Sequence, residues 1–245
     1  MNLGVTLATS RRILIQLRRD HRTMALVLAL PLLLLTLFKY VFDNEPQVFQ
    51  NIAPALVGLF PFTVMFLVTS IAMLRERTGG TLERLMSLPL TKLDLLIGYA
   101  LAFALVAAIQ AAVAAGVAFW LLDLTTQGPG WQLVVLAVAN ALLGMALGLF
   151  FSAFATSEFQ AVQFMPAVVF PQVLLGGLFI PREDMARALE LISNALPLTY
   201  AYDALARVSR GEAFSGDVSQ DMIIVISAIG LSLILGATTL RRRTP

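Results

Sequence analysis

Six long apolar runs, at 23–42, 52–74, 95–122, 131–157, 163–180 and 221–240, constrain this chain more than any other feature. Lipid offers backbone amides and carbonyls no partner. A segment that crosses it must satisfy them internally, and a helix does so with roughly 20 residues across about 30 Å of hydrocarbon. Six such helices consume most of the 245 residues. The sequence therefore predicts an all-α integral membrane protein with six transmembrane helices, forming a single domain over 1–245. Composition agrees, with 58% of residues hydrophobic and 13% charged. A soluble fold of this size has no interior able to hide so much apolar surface. The first run follows a basic stretch without a cleavage site, so no cleavable signal is expected.

Charge orients the spans. The amino-terminal segment carries Arg11, Arg12, Arg18, Arg19 and Arg22, and the 75–94 loop carries Arg75, Arg77, Arg84 and Lys92. The carboxyl end carries Arg241, Arg242 and Arg243, whereas the 43–51 and 123–130 loops have neither Lys nor Arg. The positive-inside rule places both termini and the 75–94 loop in the cytoplasm, with the chain in the inner (plasma) membrane. An even number of spans then puts 181–220, with four Arg and six acidic residues, outside. Topology accounts for the basic residues, and no nucleic-acid partner is expected.

Residues 2–22 predict an interfacial helix. Leu3, Leu7, Leu14 and Leu17 share one face and the arginines another, the pattern of a helix lying in the headgroup layer of the bilayer. The single histidine, His21, is expected to be an interfacial spectator. The 75–94 loop, RERTGGTLERLMSLPLTKLD, predicts a short helix of its own. Thr81 caps it, Glu83 sits in its first turn, Leu82, Leu85 and Met86 form an apolar face, and Pro89 ends it. Thr91 with Asp94 resembles a capping box opening span three. Glu76, Arg77, Glu83 and Arg84 flank that apolar face, which predicts contact with a protein partner.

Pro61, Pro166, Pro171 and Gly176-Gly177 are expected to interrupt spans two and five. Gln110, Asn140, Gln163 and Gln172 are expected to hydrogen-bond between helices, and Gly144–Gly148 to let two helices approach closely. After span five, Pro181 stops the helix, and Glu183 or Asp184 caps one presenting Met185, Leu189 and Ile192. Thr199 caps a second, which Gly211 ends.

The chain lacks the means for most chemistry. One histidine and no cysteine leave no Ser-His, Cys-His or His-rich metal machinery. No span centres two carboxylates for an ion relay. A phosphate-binding loop needs Gly-Lys followed by Ser or Thr, but Lys39 and Lys92 follow Phe38 and Thr91. No cofactor is expected on this chain, and energy for any uphill transport must come from another.

At this point the chain resembles a known family. The six-span layout, the 75–98 segment and the 175–203 segment are similar to the membrane subunit of ABC-2 type ABC transporters, over nearly the whole chain. The likeness is carried by Glu76, Gly80, Thr81, Glu83, Leu85 and Pro89, then by Gly177, Phe179, Pro181, Met185, Pro197, Thr199 and Tyr200. Asp203-Ala204-Leu205 and Gly211 are nearest to the branch exporting drugs and other amphipathic compounds. The resemblance implies a type V exporter fold, in which two six-helix subunits, each with an interfacial helix, face one another above two ATPase subunits. The second membrane subunit is another copy or a sister permease, and ATP and Mg belong to the ATPase. It implies that Glu76, Gly80, Thr81, Glu83, Arg84, Leu85 and Pro89 belong to the coupling helix. It also implies a path between subunits lined by spans two and five, which nominates Phe60, Phe62, Met65, Phe66, Met165, Phe170 and Gln172. Two other readings compete. A membrane scaffold or immunity protein would use the 75–94 loop to bind something other than an ATPase. An intramembrane lipid-modifying enzyme would need acids or histidines clustered in the bilayer, and the sequence shows none.

Overall fold

The computed structural model describes residues 3–79, 92–212, 214 and 216–239. Among them are nine α-helices and one 3₁₀ turn. Helix α1 (Leu3–Arg19) is followed without a loop by α2 (His21–Val41). Asp20 separates the two, because its carboxylate accepts from the Thr23 amide at 3.1 Å and the Thr23 hydroxyl at 2.6 Å, an N-cap that restarts the helix. Those bonds hold the Asp20 carboxyl below the usual carboxylate range. Helix α3 (Pro46–Thr78) has 33 residues and opens with proline at its first position, where the missing amide costs nothing. At about 50 Å it exceeds the hydrocarbon thickness and carries its last turns beyond it. Next come α4 (Lys92–Trp120), α5 (Gly130–Phe151) and α6 (Glu158–Leu175). A 3₁₀ turn (Arg182–Asp184), α7 (Arg187–Ser193), α8 (Pro197–Ser209) and α9 (Asp217–Thr239) complete the chain.

Helices α3 and α5 form the central pair, with α9 on the far side of α5, α2 and α6 beside α3, and α1 lying along α4. Small residues set the central distance. Gly144 and Gly148 face the backbone carbonyls of Phe62 and Phe66, and neither position has room for a Cβ. Lipid tails supply no hydrophobic drive between helices, so close backbone approach and its dispersion contacts hold this pair. The Thr69 hydroxyl sits in the same seam, 2.7 Å from the Met65 carbonyl and 3.2 Å from the Met145 carbonyl of α5. Close packing at Gly144–Gly148 was legible in the sequence. The amide contacts were not: Gln163 is exposed, Gln172 donates to Val168 of its own helix at 3.2 Å, and the amides of Gln110 and Asn140 are buried without partners.

Five helices, at His21–Val41, Pro46–Thr78, Asp94–Trp120, Gly130–Phe151 and Asp217–Thr239, have the length and apolarity to span a membrane. The run expected at 163–180 instead forms α6, which begins at Glu158 and falls short of that measure. It has 18 residues and includes Gln160, Gln163, Gln172 and two prolines. Its start is displaced because the Ser157 hydroxyl accepts from the Gln160 amide at 3.2 Å and caps the helix early. Pro166 and Pro171 lie within α6, and the helix ends at Gly176-Gly177, where Gly177 takes the left-handed φ of +88°. The caps expected after span five also differ. Glu183 and Asp184 form the 3₁₀ turn, and α8 starts two residues before Thr199, at Pro197. Thr199 is buried, and its hydroxyl donates to the Ser193 carbonyl at 2.9 Å, joining α8 to α7.

Candidate coupling site and translocation face

Helix α3 ends at the arginine-rich end of the bundle, where Arg75-Glu76-Arg77 lie just before the 79–91 segment. Successive helical residues point about 100° apart, so these three reach three neighbours. Arg75 makes a bidentate pair with Glu158 at the start of α6, at 2.7 and 2.9 Å. Arg77 donates to the Ser152 carbonyl at the end of α5 at 3.0 Å. Glu76 lies 3.4 Å from Arg12 of α1. The end of α3 is thus fastened to α1, α5 and α6.

Arg12 continues the network across the loop. It donates to the Tyr99 hydroxyl at 2.6 Å, and its guanidinium lies 5.9 Å from the Tyr99 ring centre. Tyr99 belongs to α4, which follows the loop, so a single α1 side chain holds both helices that bracket residues 79–91. Close approach makes this possible. A Cβ added at Gly98 would come within 2.8 Å of Thr9, so α1 and α4 meet through small side chains. Thr6 adds a contact to Asp94 at 3.4 Å. The Arg12–Glu76 pair is half-buried at a long 3.4 Å, whereas the Arg12–Tyr99 bond is short, and a charged donor to a hydroxyl contributes about 1.5–3 kcal/mol. The Arg12–Tyr99 bond is therefore the stronger half of this latch.

Of the residues proposed for coupling, Glu76 is described. It sits on α3 with a side chain 14% exposed and one oxygen turned to Arg12. Gly80, Thr81, Glu83, Arg84, Leu85 and Pro89 lie outside the described residues, as does Thr91. Arg12, Asp94 and Tyr99 were missed as members of this site. Arg12 looked lipid-facing, and Tyr99 was hidden in an apolar run. The available signal was a tyrosine beside a glycine one turn into a span.

The residues proposed for the path divide sharply. Phe62, Met65 and Phe66 are buried within the subunit, Phe66 against Phe151 with ring centres 5.9 Å apart. Phe60 meets Phe38 of α2 at 5.8 Å, and Gln172 is buried. Met165 is half-buried and Phe170 is 56% exposed. Between Pro61 and Leu74 of α3 the half-open positions are Thr63, Leu67, Val68, Ile71 and Ala72, to one side of the nominated aromatics. On α6 the open stripe is Phe159, Gln163, Phe170 and Leu174.

At the opposite end, charged residues fold 182–212 back onto the bundle. Arg182 pairs with Asp203 and donates to Asn194 at 3.1 Å, while Arg207 reaches Asp217 at 3.0 Å and Asp221 at 3.7 Å. Burial pushes the Asp203 carboxyl above its ordinary value, against the opposing pull of Arg182, Arg207 and Arg210. The Ser193 hydroxyl donates to the Leu175 carbonyl at 2.7 Å, and that of Tyr200 to the Asn194 carbonyl at 2.7 Å. Ser193 thus ties α7 to α6, and Thr199 and Tyr200 tie α8 to α7.

The architecture has named relatives. A family model described as "ABC-2 type transporter" matches residues 5–208. "ABC transporter G family member 20" of Dictyostelium discoideum is 25% identical over 166 residues, 67% of this chain and 23% of that protein. "Probable multidrug ABC transporter permease YbhR" of Escherichia coli (strain K12) is 27% identical over 191 residues, 77% of this chain and 49% of that one. The related "Probable multidrug ABC transporter permease YbhS" is 22% identical over 164 residues, 66% of this chain and 44% of that protein. The matched regions therefore span half or less of these relatives' own lengths. With the family model covering most of the chain, and apolar membrane-length helices beneath it, the protein belongs to the ABC-2 type transporter family.

Proposed function

We propose that this chain is the membrane subunit of an ATP-driven exporter, working with a separate ATPase and with a second membrane subunit. The observation that carries this reading is the fastening of α1, α3 and α4 around the 79–91 loop. A loop whose two flanking helices are locked to one another transmits a push or pull into the bundle. The loop carries Glu83 and Arg84 beside Leu82, Leu85 and Met86, a mixed surface suited to a protein groove. In this reading Glu76, Gly80, Thr81, Glu83, Arg84, Leu85 and Pro89 form the coupling element, and the ATPase holds ATP and Mg. The arginine-rich end faces the cytoplasm, and α6 completes a set of six spans.

The second subunit covers the open stripe of α6, and the path runs between the two, beside Met165, Phe170 and the Thr63–Leu67 stripe of α3. The substrate is amphipathic. The printed description of the Escherichia coli relatives as multidrug permeases supports that class, as do the flexible methionine and the aromatic surface.

The test is reconstitution with the ATPase recovered from native membranes in mild detergent. ATP hydrolysis should rise on adding this chain, and Glu83→Arg should abolish that rise by placing like charge at the contact while leaving expression intact. Undiminished efflux and hydrolysis with Glu83→Arg would show that the loop is only a connector.

A further inference from the structure

A cavity of about 500 Å³ opens at the arginine-rich end, between α1, α2, α3 and α4 of a single subunit. Its walls are apolar, with Val27, Leu30, Val64 and Phe103 among them, and the size is that of a small-molecule site, about 300–1,000 Å³. The polar groups collect at one end, where Gln16, Asp20, Thr23, Arg75, Glu76 and Tyr99 reach it. Along α2 the cavity runs from Asp20 to Leu30, a rise of about 15 Å. That is half of the roughly 30 Å hydrocarbon core. The cavity therefore matches one leaflet, with its polar end at the headgroups.

The charge at that end selects the head. Arg75, the only cation among the described lining residues, donates to both oxygens of Glu158. Two carboxylates remain. Asp20 accepts from the Thr23 hydroxyl and amide and lies in the field of Arg75. Glu76 gives Oε1 to Arg12, while its Oε2 is buried and has no hydrogen-bond partner. A buried carboxylate oxygen without a donor is unfavourable, and an ammonium group supplies the missing charge-assisted bond. An anionic head would instead meet two carboxylates and a guanidinium whose charge is already shared with Glu158.

We propose that this cavity binds an amine-headed lipid of the cytoplasmic leaflet, an aminophospholipid, with its ammonium on Glu76 and Asp20 and an acyl chain along α2 and α3. The leaflet assignment rests on the orientation proposed above. The site is lined by one subunit alone, although Leu67 and Ile71 of its α3 wall also belong to the stripe that borders the path. A bound lipid here touches both α1 and the end of α3, and so bears on the latch that brackets the loop.

The test is native mass spectrometry of the delipidated full chain in mild detergent, titrated separately with lysophosphatidylethanolamine, lysophosphatidylglycerol and hexadecyltrimethylammonium. The amine lipid should bind about tenfold more tightly than the glycerol lipid, the ratio expected for one charge-assisted bond. Glu76→Gln should bring the two within about threefold, and Val64→Trp, which fills the apolar wall, should weaken both. Equal binding of the two lysolipids by the unaltered chain overturns the proposal without any variant, as does amine-lipid binding that survives Val64→Trp. Binding of the quaternary ammonium with none of the amine lipid overturns the lipid assignment. Detergent binding does not depend on insertion direction, so a reversed orientation would leave these results intact and appear only in labelling from outside the cell.

Discussion

Single residues set how closely the bundle packs. Gly144 and Gly148 press on the backbone of α3, whereas Gly230 of α9 has no atom within 4 Å of where a Cβ would stand. Gly148→Val should therefore destabilise the protein by about 1–3 kcal/mol, since the clash is with backbone and Thr69 that cannot withdraw. Gly230→Ala should stay within about 0.5 kcal/mol. Thermal midpoints in one detergent read both, and equal midpoints would mean that the α3–α5 seam is looser than described. Asp203 offers a test by pH. Its carboxyl titrates above its ordinary value, so the folded chain holds that proton more tightly than the unfolded one. Its contribution to stability is thus fullest at low pH and declines as pH rises through the folded value. Asp203→Asn should flatten the decline of the midpoint with rising pH that begins at the ordinary carboxylate value and runs upward from it. Arg182→Ala should cost more at pH 7 than Asp203→Asn, because it leaves Asp203 without its nearest cation. A steeper decline in Asp203→Asn would reverse the sign of that argument.

Among elements, the helix at the front of the chain has the most to do. Arg12→Ala removes the bond to Tyr99 and the pair with Glu76, yet leaves the Thr6, Thr9 and Gly98 contacts in place. The expected outcome is a protein that still assembles, with a small drop in midpoint, but with ATPase stimulation by the membrane subunit reduced several-fold in proteoliposomes. Stimulation that tracks the midpoint alone would assign Arg12 a purely structural role. This element also shows how far sequence reading reached. Apolar periodicity and arginine placement sufficed to find α1 and to separate it from the first span. The latch escaped, because its partners lie 64 and 87 positions from Arg12 and no local pattern connects them. The edges of α6 escaped for another reason. Proline and glycine both signal breaks, but a helix in a bundle tolerates proline, whereas Gly177 at positive φ ends it. On α3, composition could nominate Phe62 and Phe66, but which face an aromatic occupies is set by tertiary packing and by the glycines opposite.

At the scale of the whole molecule, arginine placement and chain order make one strong demand. In the chain without cysteines, Ala213→Cys should react with an impermeant thiol reagent in intact cells, and Gly79→Cys only after lysis. The reverse pattern would invert the topology while leaving the bundle itself unchanged. The two ends of the bundle are built differently. One joins α1, α3, α4, α5 and α6 through Arg12, Arg75 and Arg77, and the other folds a short two-helix segment back through Arg182 and Arg207. Between them the central α3–α5 pair has almost no polar contact except Thr69. Motion that starts at one end therefore meets a stiff, closely packed axis before it meets the other.

The clamp of Arg12 on both sides of the 79–91 segment also has an entropic consequence. Bringing together the ends of a free 13-residue segment lowers chain entropy by an amount worth about 2 kcal/mol. Here the two ends are already held by α1, α3 and α4, in a membrane that further restricts them. A partner docking on this segment therefore need not gather its ends, and a larger share of its contact energy is left to set affinity. Loosening the clamp should show itself as weaker docking before it shows itself as a less stable bundle.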